Sequence, residues 1–177
     1  NHTCARGSRP IDEESRLTAK HSLQFLKTFK PRWAIIENVV QMRTWDKYKE
    51  ILDYLTLELK YRITEQVLDA ADFGVPQTRK RLFIMCDRKE TPPLLIIDKN
   101  KTPVAARTIL DPPGTWDTSP LYKTGRAPKT LERAERAIAQ LPEDEDFLIV
   151  YYGSDAAGGW QRLDRPLRTL TTLDRFG

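Results

Sequence analysis

A carboxylate stands directly behind a short apolar run near the start of the chain. Glu37 follows Trp33-Ala34-Ile35-Ile36, and a continuous apolar run of this kind is typical of a strand buried on both faces. The carboxyl end of such a strand lies at the edge where open α/β sheets bind their ligands. Glu37 is therefore a candidate site residue. The alternative is that it caps the next turn or pairs with a basic side chain.

A second polar cluster, Gln77-Thr78-Arg79-Lys80-Arg81, precedes another apolar run. If a strand begins near Arg79, residues 77, 79 and 81 lie on one face, because alternate side chains of a strand point the same way. Two guanidinium groups and an amide on one face suit a planar ligand that is rich in acceptors or negatively charged. The alternative is a solvated basic turn.

The elements that must position these two clusters alternate between helix and strand. Apolar periodicity predicts helices over 13–29 and 46–60, and apolar or alternating runs predict strands over 33–36, 61–68 and 81–86. This order predicts an α/β fold with a largely parallel sheet, in which the last two strands could form an antiparallel hairpin at one edge.

The character of the sequence changes after Asp87. Eight of the 12 prolines lie between residues 92 and 142, and this stretch has little periodicity. The chain is therefore expected to have two parts, residues 1–88 and a loop-rich part over residues 89–177. Three further elements are predicted in the second part: a helix over 130–141 and strands over 147–152 and 167–173.

Composition limits the class of protein. With 177 residues, 40% of them apolar and 31% charged, the chain has a globular balance, and no apolar run approaches the length of about 18 residues that a membrane span requires. The first residues lack the apolar core of a signal peptide, and two cysteines cannot make a disulfide framework, so a reducing cytosol is expected. A net charge of +4 permits a nucleic-acid partner.

Two segments, IIENV over 35–39 and FGVPQTRKRLFI over 73–84, together resemble the DNA (cytosine-5) methyltransferase family. A strand-end Glu-Asn-Val and a Gln-x-Arg-x-Arg motif occur there in this order. Three more segments agree with the resemblance. They are 1–10, which is similar to the loop after the catalytic Pro-Cys, 12–33, similar to the helix before Glu-Asn-Val, and LDRPLRTLTT over 163–172, similar to a threonine-containing element of the recognition region.

The resemblance implies a fold and a reaction. The fold would be part of an S-adenosylmethionine-dependent, Rossmann-like sheet with a smaller, loop-rich recognition region. A cysteine thiolate would add to C6 of a cytosine flipped out of duplex DNA, and C5 would take the methyl group of S-adenosylmethionine. By match, Glu37 is the carboxylate on the N3/N4 edge, Arg79 and Arg81 are the catalytic arginines, and Gln77 and Asn38 bind the substrate.

The resemblance also implies contacts away from the cytosine. Arg165, Arg168, Thr169 and Thr171 would bind DNA, and Leu17 and Thr18 would touch S-adenosylmethionine, most of whose site would lie outside this chain. Neither a metal nor a membrane is implied, and no oligomer follows from the sequence. The expected location is the bacterial cytoplasm, near the nucleoid.

The nucleophile departs from the family pattern. The family cysteine follows a proline, whereas Cys4 follows Thr3, so the nucleophile is expected a couple of residues before Asn1 and Cys4 is expected to be its neighbour. The chain is accordingly expected to be either one subunit of a split enzyme or, as the favoured interpretation, part of a longer enzyme, and to be inactive alone. His21 and Cys86 are expected to be structural.

Three alternatives stay open at this point. The chain could be a non-catalytic nucleic-acid-binding relative, an RNA cytosine-5 methyltransferase, or an α/β domain with coincidental motifs. A Pro-Cys before Asn1 would favour the enzyme over the non-catalytic relative, and activity on duplex DNA against structured RNA would separate the two substrates.

Overall fold

The structure is a computed structural model, and it describes residues 19–151, 158–170 and 176–177. The chain forms two compact units. The first contains the residues up to Asp69 together with Arg79–Lys99, and the second contains Ala70–Thr78 and Asn100–Gly177. The expected division into a catalytic part and a recognition part stays a prediction.

The first unit follows the predicted alternation of elements. Helix α1 (Ala19–Phe29) leads into strand β1 (Trp33–Asn38), and a 3-10 turn follows. Helix α2 (Tyr48–Asp53) continues as a π-helical turn over Tyr54–Glu58. Strands β2 (Arg62–Asp69) and β3 (Lys80–Asp87) complete the unit within the residues described. Each of these helices and strands overlaps its predicted range, and residues 13–18 of the first predicted helix lie outside the described residues.

The three strands form one sheet in the order β1-β3-β2, and both pairings are antiparallel. The predicted hairpin between 61–68 and 81–86 is thus confirmed. The prediction of a largely parallel sheet is wrong for the described strands. The reason is that the chain reverses between Ala70 and Arg79, where Gly74 adopts a φ of +84°, and β3 then runs between β1 and β2 against both of them.

One face of the sheet carries the core of the first unit. Leu82, Ile84 and Cys86 of β3 are buried against apolar side chains of the helices, among them Leu55. Burial raises the pKa of the Cys86 thiol to about 11, as expected for a cysteine of the core.

The other face of β1 is open. Trp33 and Ile35 are 64% and 70% exposed, so the prediction that this strand is buried on both faces is wrong. A run of four apolar residues contains both faces of a strand, and here only Ala34 and Ile36 pack against the core.

Helix α1 also buries a different face from the predicted one. The four-residue spacing of Leu17, His21, Phe25 and Phe29 predicts that this stripe is buried. Its described members, His21, Phe25 and Phe29, are exposed, whereas Leu23 and Leu26 pack into the core. The structural role expected for His21 is therefore wrong. The helix turns Leu23 and Leu26, which are three residues apart, towards the core, and His21 then lies on its exposed side.

The second unit contains helix α3 (Pro128–Ile138) and the antiparallel strands β4 (Phe147–Ile149) and β5 (Trp160–Arg162). The predicted strand over 147–152 is shorter than expected. Of the strand predicted over 167–173, Leu167 forms an isolated parallel bridge with Gln77, residues 168–170 are irregular, and 171–175 lie outside the described residues. Residues 88–127 are largely irregular, which confirms the expected loop-rich character.

Candidate functional site

The structure places Glu37 and Arg81 side by side on the open face of the sheet. Arg81 Nε lies 3.0 Å from Glu37 Oε1. The register explains the contact: Glu37 is opposite Phe83, and Arg81 lies two residues from Phe83 on the same face of β3, so the two side chains are diagonal neighbours. This pair is the geometric centre of the candidate site.

The two members of the pair differ in accessibility. The Arg81 side chain is 17% exposed, and its Nη1 also donates a hydrogen bond to the carbonyl oxygen of Lys80 at 2.8 Å. The Glu37 side chain is 48% exposed. The Arg81 guanidinium is thus held in place by the Lys80 carbonyl oxygen and by Glu37, and a ligand can reach the Glu37 carboxylate from solvent.

Arg79 stands apart from this pair. Its backbone N–H donates to Asp69 Oδ1 at 2.7 Å, which fixes the chain just before β3 begins. Its side chain is exposed and has no hydrogen bond or ion pair with any residue that the structure describes. The structure therefore brings Arg81, but not Arg79, into contact with Glu37.

Two residues with side-chain amides were predicted to bind substrate, and the structure shows a local hydrogen bond to the amide of one of them, Asn38. Asn38 Oδ1 accepts a hydrogen bond from the N–H of Val39 at 2.8 Å and shapes the turn at the end of β1. In the second unit, Gln77 is half-buried, and its backbone N–H donates to the carbonyl oxygen of Val75 at 2.7 Å.

The predicted DNA-binding residues of the second unit lie on one segment. Arg165 has a side chain that is 76% exposed, and Arg165 and Arg168 both line an open groove of about 800 Å³ that also contains Trp160. Thr169 Oγ1 donates to the carbonyl oxygen of Thr78 at 2.8 Å. This hydroxyl therefore links the segment to the stretch that carries Gln77.

Sequence reasoning missed Gln161, which is 6% exposed and also lines the groove. Its two amide atoms bond to the main chain of the Arg165–Arg168 segment. The sequence predicts no strand over 160–162, so it offers no signal that this glutamine is buried.

Four residues singled out in the sequence lie outside the described residues, and their roles stay predictions. They are Cys4, Leu17, Thr18 and Thr171. Within the described ranges, no three acidic, histidine or cysteine side chains come together as a metal site would require. No helix of the same ranges has the length and apolarity to cross a membrane.

Groups with perturbed pKa values lie away from the Glu37–Arg81 pair. Burial, together with the acceptor Glu65, raises the pKa of Tyr48, whose hydroxyl donates to Glu65 Oε2 at 2.7 Å. The Lys89 N–H and then the Trp33 indole lower the pKa of Asp87 by hydrogen bonding to its carboxylate. Both groups brace the sheet and are not part of the candidate site.

Known proteins resemble this chain in sequence. The sequence model of the C-5 cytosine-specific DNA methylase family matches residues 9–146. Type II methyltransferase M.AquIA of Picosynechococcus is 38% identical over 79 residues, which cover 37% of this chain and 32% of that protein. Type II methyltransferase M.XorII of Xanthomonas oryzae is 32% identical over 91 residues, or 49% of this chain and 21% of that protein.

A plant protein and a solved structure match as well. DNA (cytosine-5)-methyltransferase 1B of Oryza sativa is 27% identical over 146 residues, which cover 79% of this chain and 10% of that protein. The structure of the Entamoeba histolytica methyltransferase EhMeth aligns with 53% of this chain and 31% of its own, at 23% identity and a TM-score of 0.43. The chain spans less than a third of the length of each of these three curated relatives.

Proposed function

The chain belongs to the C-5 cytosine-specific DNA methylase family, and from this premise we propose that it forms part of an enzyme that methylates C5 of cytosine in DNA. In this proposal its three strands are part of a Rossmann-like sheet. Residues 1–88 belong to the catalytic part, and residues 89–177 to the part that recognises DNA.

The Glu37–Arg81 contact is the observation that carries the proposal. Cytosine presents the N3 acceptor and the N4 amino group beside its O2 acceptor. A carboxyl group can bind N3 and N4, and a guanidinium can donate to O2, so a carboxyl and a guanidinium 3.0 Å apart match both parts of that edge.

The role of Glu37 is to make the ring electrophilic. When its carboxyl group hydrogen-bonds the N4 amino group and favours a proton on N3, electron density leaves C6 and a thiolate can add there. Arg81 stabilises the charge that develops on O2. Because C5 and C6 are hidden in a duplex, the cytosine must first be flipped out of the helix.

S-adenosylmethionine would supply the methyl group. Leu17 and Thr18, which the resemblance assigns to that cofactor, lie outside the described residues. The described glycines lie in turns, and none of them opens a helix directly after a strand, as a donor-binding loop would require. The described glycines therefore provide no donor-binding loop.

Duplex DNA is the proposed partner of the second unit. Arg165 and Arg168 would neutralise backbone phosphates, and Thr169 would orient their segment through Thr78. The Type II names of the bacterial relatives support a role in restriction and modification, in which the protein would act on the bacterial chromosome.

The test is methyl transfer by the complete protein. It is incubated with S-adenosylmethionine carrying a tritiated methyl group and duplex DNA of mixed sequence, and the DNA is digested to nucleosides. The label is expected in 5-methyldeoxycytidine. Glu37→Gln is expected to lower the rate at least about 100-fold, because a catalytic proton donor is lost.

Glu58→Gln is the matched control, since Glu58 is an exposed glutamate of the same unit, and it is expected to leave the rate unchanged. Label in N4-methylcytosine, label in structured RNA but not in DNA, or a full rate with Glu37→Gln would refute the proposal.

A further inference from the structure

A buried glutamine closes a loop of the second unit from the inside. Gln161 on β5 is 6% exposed. Its Nε2 donates to the carbonyl oxygen of Pro166 at 2.9 Å, and its Oε1 accepts a hydrogen bond from the N–H of Arg168 at 3.1 Å. Both ends of one carboxamide therefore hold the main chain of the Arg162–Arg168 loop, on either side of Leu167.

The same loop is held from one outer side by a neighbouring segment. The Ala106 N–H donates to the carbonyl oxygen of Arg165 at 2.8 Å, and the Arg107 N–H donates to that of Leu163 at 3.1 Å. Leu163 is buried in a small apolar cluster with Ala106. The first half of the loop is thus fixed by both hydrogen bonds and packing.

The opposite side of the loop is held by the stretch before β3. Leu167 is 7% exposed, its N–H donates to the carbonyl oxygen of Pro76 at 2.9 Å, and its own carbonyl oxygen accepts from the Thr78 N–H at 2.6 Å. With Gln161 inside, the loop is fixed on three sides, although it has no regular secondary structure.

The loop carries three arginines and one aspartate, and Arg165 is the most exposed of these side chains. Arg162 is compensated by Glu145 at 2.9 Å and by Asp164 at 3.0 Å. Arg165 is 76% exposed and only 4.0 Å from Asp164 at its nearest, and Arg168 lines the groove beside it. Gln161 holds the N–H of Arg168 itself and the carbonyl oxygen of Pro166, the residue directly after Arg165.

We infer that Gln161 is a positioning residue for DNA binding by Arg165 and Arg168, an inference that rests on the proposed function. Long arginine side chains on a loose loop lose conformational freedom when they bind phosphate, whereas a loop fixed in advance has already given up part of that freedom. An apolar side chain could fill the same space, but it could not satisfy the buried groups at Pro166 and Arg168.

The experiment measures binding of the full chain to a fluorescent duplex DNA of mixed sequence, by anisotropy at several KCl concentrations. Gln161→Met keeps the approximate volume and removes both hydrogen bonds. It is expected to weaken binding about tenfold. Gln24→Met is the matched control, because Gln24 is an exposed glutamine that does not line the groove, and it is expected to bind as the wild type does.

A double-mutant comparison separates positioning from general damage. In the background Arg165→Ala with Arg168→Ala, Gln161→Met is expected to cause no further loss, because the groups that it positions are gone. An equal loss in both backgrounds would overturn the inference. Circular dichroism melts accompany each variant, and Gln161→Glu replaces Gln161→Met if the latter does not fold.

Gln161→Glu keeps the acceptor for the Arg168 N–H, but its second carboxylate oxygen faces the Pro166 carbonyl oxygen and repels it, so a loss of about tenfold or more is expected. Wild-type affinity in this variant would also overturn the inference. If wild-type protein does not bind duplex DNA, the proposed function fails. If it binds and only the arginine variants weaken binding, the inference about Gln161 fails alone.

Discussion

Replacing Arg81 by lysine separates the charge of this residue from its geometry. In the structure, Nε lies 3.0 Å from Glu37 Oε1, and Nη1 donates to the Lys80 carbonyl oxygen at 2.8 Å. Different nitrogens of one planar group make the two contacts, whereas a lysine ammonium has a single nitrogen. Arg81→Lys therefore keeps a positive charge near Glu37 and loses the fixed orientation.

The expected magnitudes differ for stability and for catalysis. Because the Glu37 side chain is 48% exposed, weakening this ion pair is expected to change the free energy of unfolding by no more than about 1 kcal/mol. In the proposed function Arg81 donates to cytosine O2, so Arg81→Lys would lose a hydrogen bond made by a charged group, which corresponds to a fall of about 10- to 100-fold in kcat/KM for DNA methylation.

Two measurements check this prediction. Urea unfolding followed by circular dichroism gives the stability, and methyl transfer to duplex DNA by the complete protein gives kcat/KM. Arg43→Lys is the matched control, since Arg43 forms a similar ion pair with Glu65 at 3.3 Å on the other side of the sheet. It is expected to change neither quantity appreciably.

Either of two results would refute the reasoning about Arg81. Undiminished methylation by Arg81→Lys would show that only its charge matters. A loss of several kcal/mol in unfolding free energy would show that Arg81 is a structural brace of the sheet, with no separable part in the site.

Two further predictions concern the core and the end of the sheet. In a Cys4→Ser background, Cys86 is expected to react with a thiol reagent at about pH 8 only when the protein unfolds. Burial raises the pKa of Cys86 to about 11. The contribution of the buried thiol to stability is therefore present below about pH 9 and lost as the pH rises towards 11. Fast labelling under native conditions would contradict this. Asp87 has a lowered pKa, so its contribution is present above the ordinary carboxyl range and lost on acidification. Wild-type protein should therefore lose more stability than Asp87→Asn between about pH 5 and pH 3 in urea titrations, and parallel curves would argue against it.

The sequence was informative where a periodic pattern meets a chain reversal. The alternation in β2 and the apolar run of β3, separated by a turn with Gly74, were sufficient to predict an antiparallel pair. The parallel sheet was expected because helices and strands alternate. That pattern does not specify where a returning strand inserts, and here β3 runs between β1 and β2.

Burial and side-chain bonding were harder to predict. The run that contains Trp33 and Ile35 does not reveal which face is covered, since this depends on what packs there. The role of Gln161 depends on the positions of main-chain atoms five and seven residues further along an irregular loop. Arg165 and Arg168 could be singled out because charge is visible in a sequence, whereas the group that holds their loop is defined by geometry alone.

The packing of the core and the geometry of the candidate site have a single cause, which is the register of β3. The side chains of Leu82, Ile84 and Cys86 must face the helices, and this places Arg81 on the opposite face, diagonal to Glu37. A shift of one residue would bury Arg81 and expose Leu82, so hydrophobic burial opposes any shift of the register by an odd number of residues. The contact between a half-exposed carboxylate and a guanidinium adds little stability of its own, and it persists because the apolar face of the same strand keeps it in place.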